Sequence, residues 1–258
     1  MPVLSPVMVP SDEELKQAYR QAVDPDALVK HLWMVVYGKP KRGKTRFVGT
    51  FPKPLVLDFD RGAGVLAGTN FDGKIVPVTE WGDVARWYWI LANKKHPFET
   101  VVWDTATMAQ DLALREVIAE RASKKQDADP YKATQDDFGR AGRIMRTWIE
   151  MFLQLPLHVV FVCHERDDDA PDEEEGDTTV RWVVPDLQPM VRGYLMGRVH
   201  MIGYAYKVVK KDGEKVITSF RLGFDRPGTV AADRFGRMPR VVKEPTFEKV
   251  WQYYKGGS

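Results

Sequence analysis

Leu32-Trp33-Met34-Val35-Val36-Tyr37 runs without a break into Gly38-Lys39-Pro40-Lys41-Arg42-Gly43-Lys44-Thr45. The first six residues are a short apolar run that stops at a glycine, the pattern of a buried strand. The next eight match Gly-x-x-x-x-Gly-Lys-Thr, a loop whose glycines let backbone N–H groups turn inward around phosphates. Lys44 is placed to reach the β- and γ-phosphates of ATP as a point charge, and the Thr45 hydroxyl to coordinate Mg²⁺. Lys39, Lys41, Arg42 and Arg46 make the loop more positive. A helix should follow, and Pro52 and Pro54 require it to be short. Strand, loop, helix is the order a phosphate-binding loop needs, so residues 38–46 are read as the nucleotide site.

The metal's second protein partner should end a buried apolar strand beside the loop's own strand. Val101-Val102-Trp103-Asp104 fits, with Asp104 holding the water shell of Mg²⁺, which dehydrates reluctantly. Asp58 and Asp60, at the end of Leu55 to Phe59, form a second candidate pair.

Further along the chain, strands are read at 74–79, 100–103 and 158–163, with helices at 81–95, from 104 to about 123, and at 135–155. Ser11 and Glu14 form a capping box that opens a helix to about Ala22, and Asp24-Pro25 ends it. Buried strands alternating with helices imply an α/β fold with a mostly parallel central sheet flanked by helices. The style changes after Cys163. Residues 167–177 carry eight acids and no base, and read as a solvated loop. A strand at 180–184, a helix at 187–197 and strands at 199–209 and 216–224 follow, with Asp212-Gly213 as a hairpin turn. This is an antiparallel C-terminal extension of the same sheet, and a last helix starts near Pro245. The domain reading is an N-terminal extension and helix (1–30), a core (31–255) and a tag remnant (256–258).

Composition bounds the rest. At 258 residues, with 44% hydrophobic and 29% charged residues, the chain suits one large globular domain. A single cysteine, Cys163, excludes an internal disulfide and is read as a small buried hydrophobe. No apolar run is long enough to span a membrane, and no signal segment is visible, so the expected location is the cytoplasm. The net charge of +2 hides an asymmetry: from Thr178 to Lys255 there are 15 Lys/Arg against 7 Asp/Glu. Trp87, Trp89 and Trp148 lie on helices and are expected in the core.

The order of these parts resembles the RecA-like ATPases, most closely the small phage-encoded single-strand annealing ATPases of the fourth Sak group, from about Leu32 to Lys249. The resemblance implies a RecA-like P-loop NTPase fold, ATP hydrolysis, single-stranded DNA as partner and a homo-oligomer in the host cytoplasm, with a single-strand binding protein as a further partner. It places Asp60 where such proteins carry the carboxylate that activates water, although RecA has the longer Glu there; a turn or cap role is the alternative. His164 falls at the γ-phosphate sensor, where RecA has Gln, and could equally be a hydrogen-bonded strand-end histidine. Arg234 falls on the Arg of a Lys-x-Arg element that reaches a neighbouring subunit's nucleotide. Its Lys position is Ala232 here, and a surface role is the alternative. Pro185-Asp186-Leu187-Gln188-Pro189 resembles the segment after the last core strand. DNA contacts would come from Arg192, Arg198, Lys207, Lys210 and Lys211, with Tyr194, Tyr204 and Tyr206 for stacking, since 167–177 would repel a phosphate backbone. Three other readings stay open: a nucleotide-switched regulator or scaffold with little hydrolysis, a helicase-type motor, and a nuclease using Asp167, Asp168 and Asp169.

Overall fold

The structure, a computed structural model, describes residues 11–22, 29–124, 129–171, 179–212 and 215–256. Asp24-Pro25, Gly213 of the expected turn and acids 172–177 lie outside the described residues. The chain divides after His31 into two units. In the first, α1 (Asp12–Gln21) opens on the expected cap. Ser11 N donates to the Glu14 carboxylate at 2.8 Å, and Glu14 N donates back to the Ser11 hydroxyl at 3.3 Å.

The second unit, from Leu32, contains β1 (Trp33–Tyr37), α2 (Lys44–Val48), β2 (Pro54–Asp58), a 3-10 turn (Ala63–Leu66), β3 (Lys74–Pro77), α3 (Trp81–Asn93), β4 (Thr100–Asp104), α4 (Ala106–Lys124), α5 (Gln135–Leu153) and β5 (His158–Cys163). It continues with β6 (Glu165–Pro171), β7 (Thr179–Pro185), α6 (Pro189–Arg198), β8 (Met201–Asp212), β9 (Lys215–Gly223), β10 (Ala232–Asp233), β11 (Val241–Lys243) and α7 (Phe247–Tyr254).

The main sheet has the order β11-β9-β8-β1-β5-β4-β2-β3, with β10 beside β8. From β8 across to β3 every neighbouring pair is parallel. The β8–β9, β9–β11 and β8–β10 pairs are antiparallel. This is the mixed sheet with a C-terminal antiparallel extension that the alternation of elements implied. β4 and β5 are buried along their whole length, as expected of strands covered on both faces.

Three expectations are corrected. First, β4 is not beside β1; β5 lies between them, pairing Val35 with Phe161 on one side and Trp103 with Phe161 on the other. β5, buried at all six residues, takes the position with most cover. Second, residues 167–171 are not loop but part of β6, which pairs with β7 in a separate two-stranded sheet. Asp167 pairs with Arg181, and Asp168 with Arg192, which neutralises acids that would otherwise repel along a strand. Third, Trp89 is not in the core: it is 56% exposed. Trp87 and Trp148 do pack against the core, Trp148 edge-on to Trp81 and Tyr88. Cys163 is fully buried.

Candidate functional site

β1 ends at Tyr37, and the chain turns over the carboxyl end of the sheet. Two glycines shape the loop. Gly43 adopts φ 86° immediately before α2, a left-handed conformation that side chains resist. Gly38 lies so close to the Ala205 carbonyl of β8 that a Cβ there would strike main chain. Lys41, at the loop tip, is also left-handed (φ 61°).

Lys44 is 6% exposed, and its Nζ donates to the carbonyls of Gly38 at 2.6 Å and Lys39 at 2.9 Å. Burial holds its pKa below the usual lysine value, while the charge of Asp104 acts the other way. The Thr45 hydroxyl donates to Asp104 at 2.8 Å. Asp104 is 2% exposed, and burial pushes its pKa up to about 6; the Thr45 hydrogen bond offsets part of this, and the charges of Asp60 and Asp58 add to it. The Lys39 amine lies 3.8 Å from the Glu165 carboxylate.

His164 follows β5, so the strand between β1 and β4 delivers it to the middle of the site. Its N–H donates to the Thr107 hydroxyl at 3.0 Å, and that hydroxyl donates to the Asp186 carbonyl at 2.9 Å. Asp186 N in turn donates to the His164 carbonyl at 2.9 Å. Burial first, and the Lys44 charge second, lower the His164 pKa, which favours the neutral imidazole near neutral pH. Asp58 and Asp60 divide their work. Asp58 is buried and accepts from Gly62 N at 3.1 Å and Ala63 N at 3.2 Å, bracing the 3-10 turn. Asp60 is exposed and accepts from Gly62 N at 2.9 Å.

These groups converge on a cleft of about 500 Å³, lined by residues 40–46 together with Asp60, Gly62, Val65, Asp104, Thr105, His164 and Phe220. Gly38 and Lys39 contribute carbonyls to Lys44 rather than cleft wall. Arg234 is elsewhere. It follows β10, where Asp233 is level with Met201 and so with Met34, near the amino end of β1. It is exposed there and donates to the Gly197 carbonyl at 2.7 Å. Thr107 and Phe220 were not singled out from the sequence. Thr107 had a local signal, three residues past Asp104; Phe220 had none.

Of the proposed DNA contacts, several are already engaged. Arg192 pairs with Asp168, while Arg198 and Tyr194 both bind Glu150. Tyr204 is buried and stacks on Tyr206, with Arg226 over both rings. Lys207, Lys210 and Lys211 are exposed on the β8–β9 hairpin.

A parallel sheet with a Gly-x-x-x-x-Gly-Lys-Thr loop at its carboxyl edge, and a buried aspartate on the threonine, defines a P-loop nucleoside triphosphatase. The AAA domain family matches residues 30–227, most of the chain, and the protein belongs to that family of ATPase domains. It therefore binds ATP. The chain is also similar to the "SPbeta prophage-derived uncharacterized protein YorG" of Bacillus subtilis (strain 168), 25% identical over 142 residues. The match covers 52% of this chain and 41% of that relative. Among the described residues, no helix is long and apolar enough to cross a membrane.

Proposed function

We propose that this protein is a RecA-like, Mg²⁺-dependent ATPase that acts on single-stranded DNA in phage-type recombination or annealing. The observation that carries the ATPase part is the 2.8 Å contact between Thr45 and Asp104 beside the Lys44 amine. Both are hard oxygen donors, and burial together with the charges of Asp60 and Asp58 makes the Asp104 carboxylate costly to ionise, a cost a bound cation would offset, so they fit Mg²⁺. Among the described residues no cluster of three or more His, Cys, Asp or Glu could hold an ion by itself. That suits a metal bound partly by nucleotide oxygens and water.

In this reading Mg²⁺, when bound, supplies charge neutralisation on the β- and γ-phosphates. Residues 38–46 cradle the phosphates through backbone N–H groups, and Lys44 lies against them. Asp60, exposed at the cleft wall, orients the attacking water. The neutral His164 imidazole donates a hydrogen bond to the terminal phosphate, with Thr107 setting its position. Arg234 acts on the nucleotide of a neighbouring subunit, a role supported by its exposure and its distance along β1 from its own loop. DNA binding is assigned to Lys207, Lys210 and Lys211, the exposed cations of the hairpin.

The test is ATP turnover with and without single-stranded DNA, for the parent and for Lys44→Ala. Stimulation by DNA, abolished by Lys44→Ala, is expected. Turnover indifferent to DNA would remove the recombination reading and leave the ATPase. A second reading, a nucleotide-switched regulator with little hydrolysis, is favoured by Ala232 in place of the expected lysine. Its mark would be tight ATP binding with negligible turnover whether or not DNA is present. The nuclease reading loses its support, because Asp167 and Asp168 are paired with arginines.

A further inference from the structure

Phe220 stands on β9, across from Lys207 of β8, and its ring forms part of the cleft wall. Two features fix it there. Its backbone N donates to the Glu244 carboxylate at 2.9 Å, and Glu244 N donates to its carbonyl at 2.8 Å. Glu244 itself adopts a left-handed φ of 42°, which few residues tolerate without compensation. The ring also lies directly on Gly43: a Cβ at Gly43 would be 2.7 Å from Phe220 Cδ1. An aromatic face is thus held in contact with the phosphate loop by an element more than 170 residues away in sequence.

The chemistry of the surrounding wall matters next. Among the described residues, Phe220 is the only Phe, Tyr or Trp that lines the cleft, and the lining also includes Pro40, Arg42 and Arg46. When phosphates occupy residues 38–46, the sugar and base must leave the loop along its rim. A half-buried aromatic ring beside Gly43 gives a purine a flat apolar surface, and the arginines add cation–π attraction.

We propose that Phe220 is the stacking platform for the nucleobase of the bound nucleoside triphosphate. The proposal rests on the ATP-binding reading of the same cleft and adds the residue that recognises the base.

The test compares two probes on the full chain with Mg²⁺ present: ATP, and inorganic tripolyphosphate, which has the phosphates and no base. Phe220→Ala is expected to weaken ATP binding by on the order of tenfold and to leave tripolyphosphate binding unchanged. Phe220→Trp, which keeps a ring, is expected to retain ATP affinity. If Phe220→Ala weakens both probes equally, the ring only props up the loop and the proposal fails. It fails too if the parent binds ATP no more tightly than tripolyphosphate, although the phosphate site then survives. If the parent binds neither, the ATP reading itself falls, and the platform with it.

Discussion

The Thr107 hydroxyl accepts from His164 N and donates to the Asp186 carbonyl, so a single side chain ties α4 to the end of β5 and to the segment before α6. Thr107→Val keeps the shape and removes both bonds, leaving the part-buried His164 N–H unpaired at a cost of up to about 1–3 kcal/mol. Because His164 then loses its anchor, kcat should fall by roughly 10- to 100-fold while ATP affinity holds. Equal losses in turnover and affinity, measured by steady-state kinetics and calorimetry, would show that Thr107 does not position His164. The residues of the loop and Asp104 were readable because their signals are local, a spacing of a few residues at the end of an apolar run. Phe220 was not readable, since nothing near it in sequence mentions Gly43; only the fold joins them.

At the scale of elements, the contact between the loop and β8 is the tightest in the site. Gly38→Ala would drive a Cβ into the Ala205 carbonyl, and main chain cannot move aside cheaply. A loss of at least about 1–3 kcal/mol is expected, as for overpacked cores, together with loss of ATP binding. Gly193, within α6, has open space around it, so Gly193→Ala should instead stabilise the protein by about 0.5–1 kcal/mol through helix propensity. Thermal melts of the two variants should therefore move in opposite directions, and a matching shift would contradict the packing described. β6 was misread as loop because three consecutive aspartates carry little strand propensity. The compensating charges, Arg181 on β7 and Arg192 on α6, become visible only once those elements are brought alongside.

At the scale of the whole molecule, strand order was the part hidden in the sequence. Apolar runs announce that strands exist, but register and neighbours are set by pairings between distant segments, such as Trp33 with Val159. The amino end of the sheet carries its own sensitivity. His200 Nδ1 accepts from Trp33 N at 3.2 Å, and its ring stacks on Trp33 with centroids 4.8 Å apart. Burial first, and the Arg234 charge second, depress its pKa from 6.5 to about 4. Its protonated form is therefore favoured in the unfolded chain between those values. The contribution to stability is complete above about 6.5 and declines as pH falls toward about 4, by at most about 1.4 kcal/mol per pH unit. Urea denaturation at pH 7.5 and pH 5 should show a larger acid loss for the parent than for His200→Asn; equal losses would clear His200 of that role.

Arg234 and the phosphate loop sit toward opposite ends of strands that run the same way. A contact between the arginine of one copy and the loop of the next would join unlike surfaces. Two copies lying side by side in opposite directions would make that contact twice and close as a dimer. Copies stacked in the same direction would make it once per junction, leaving a donor end and an acceptor end until a ring closes or a helix propagates. The mass measured over a range of concentrations separates the two: it stops at twice the chain in the first case and passes it in the second.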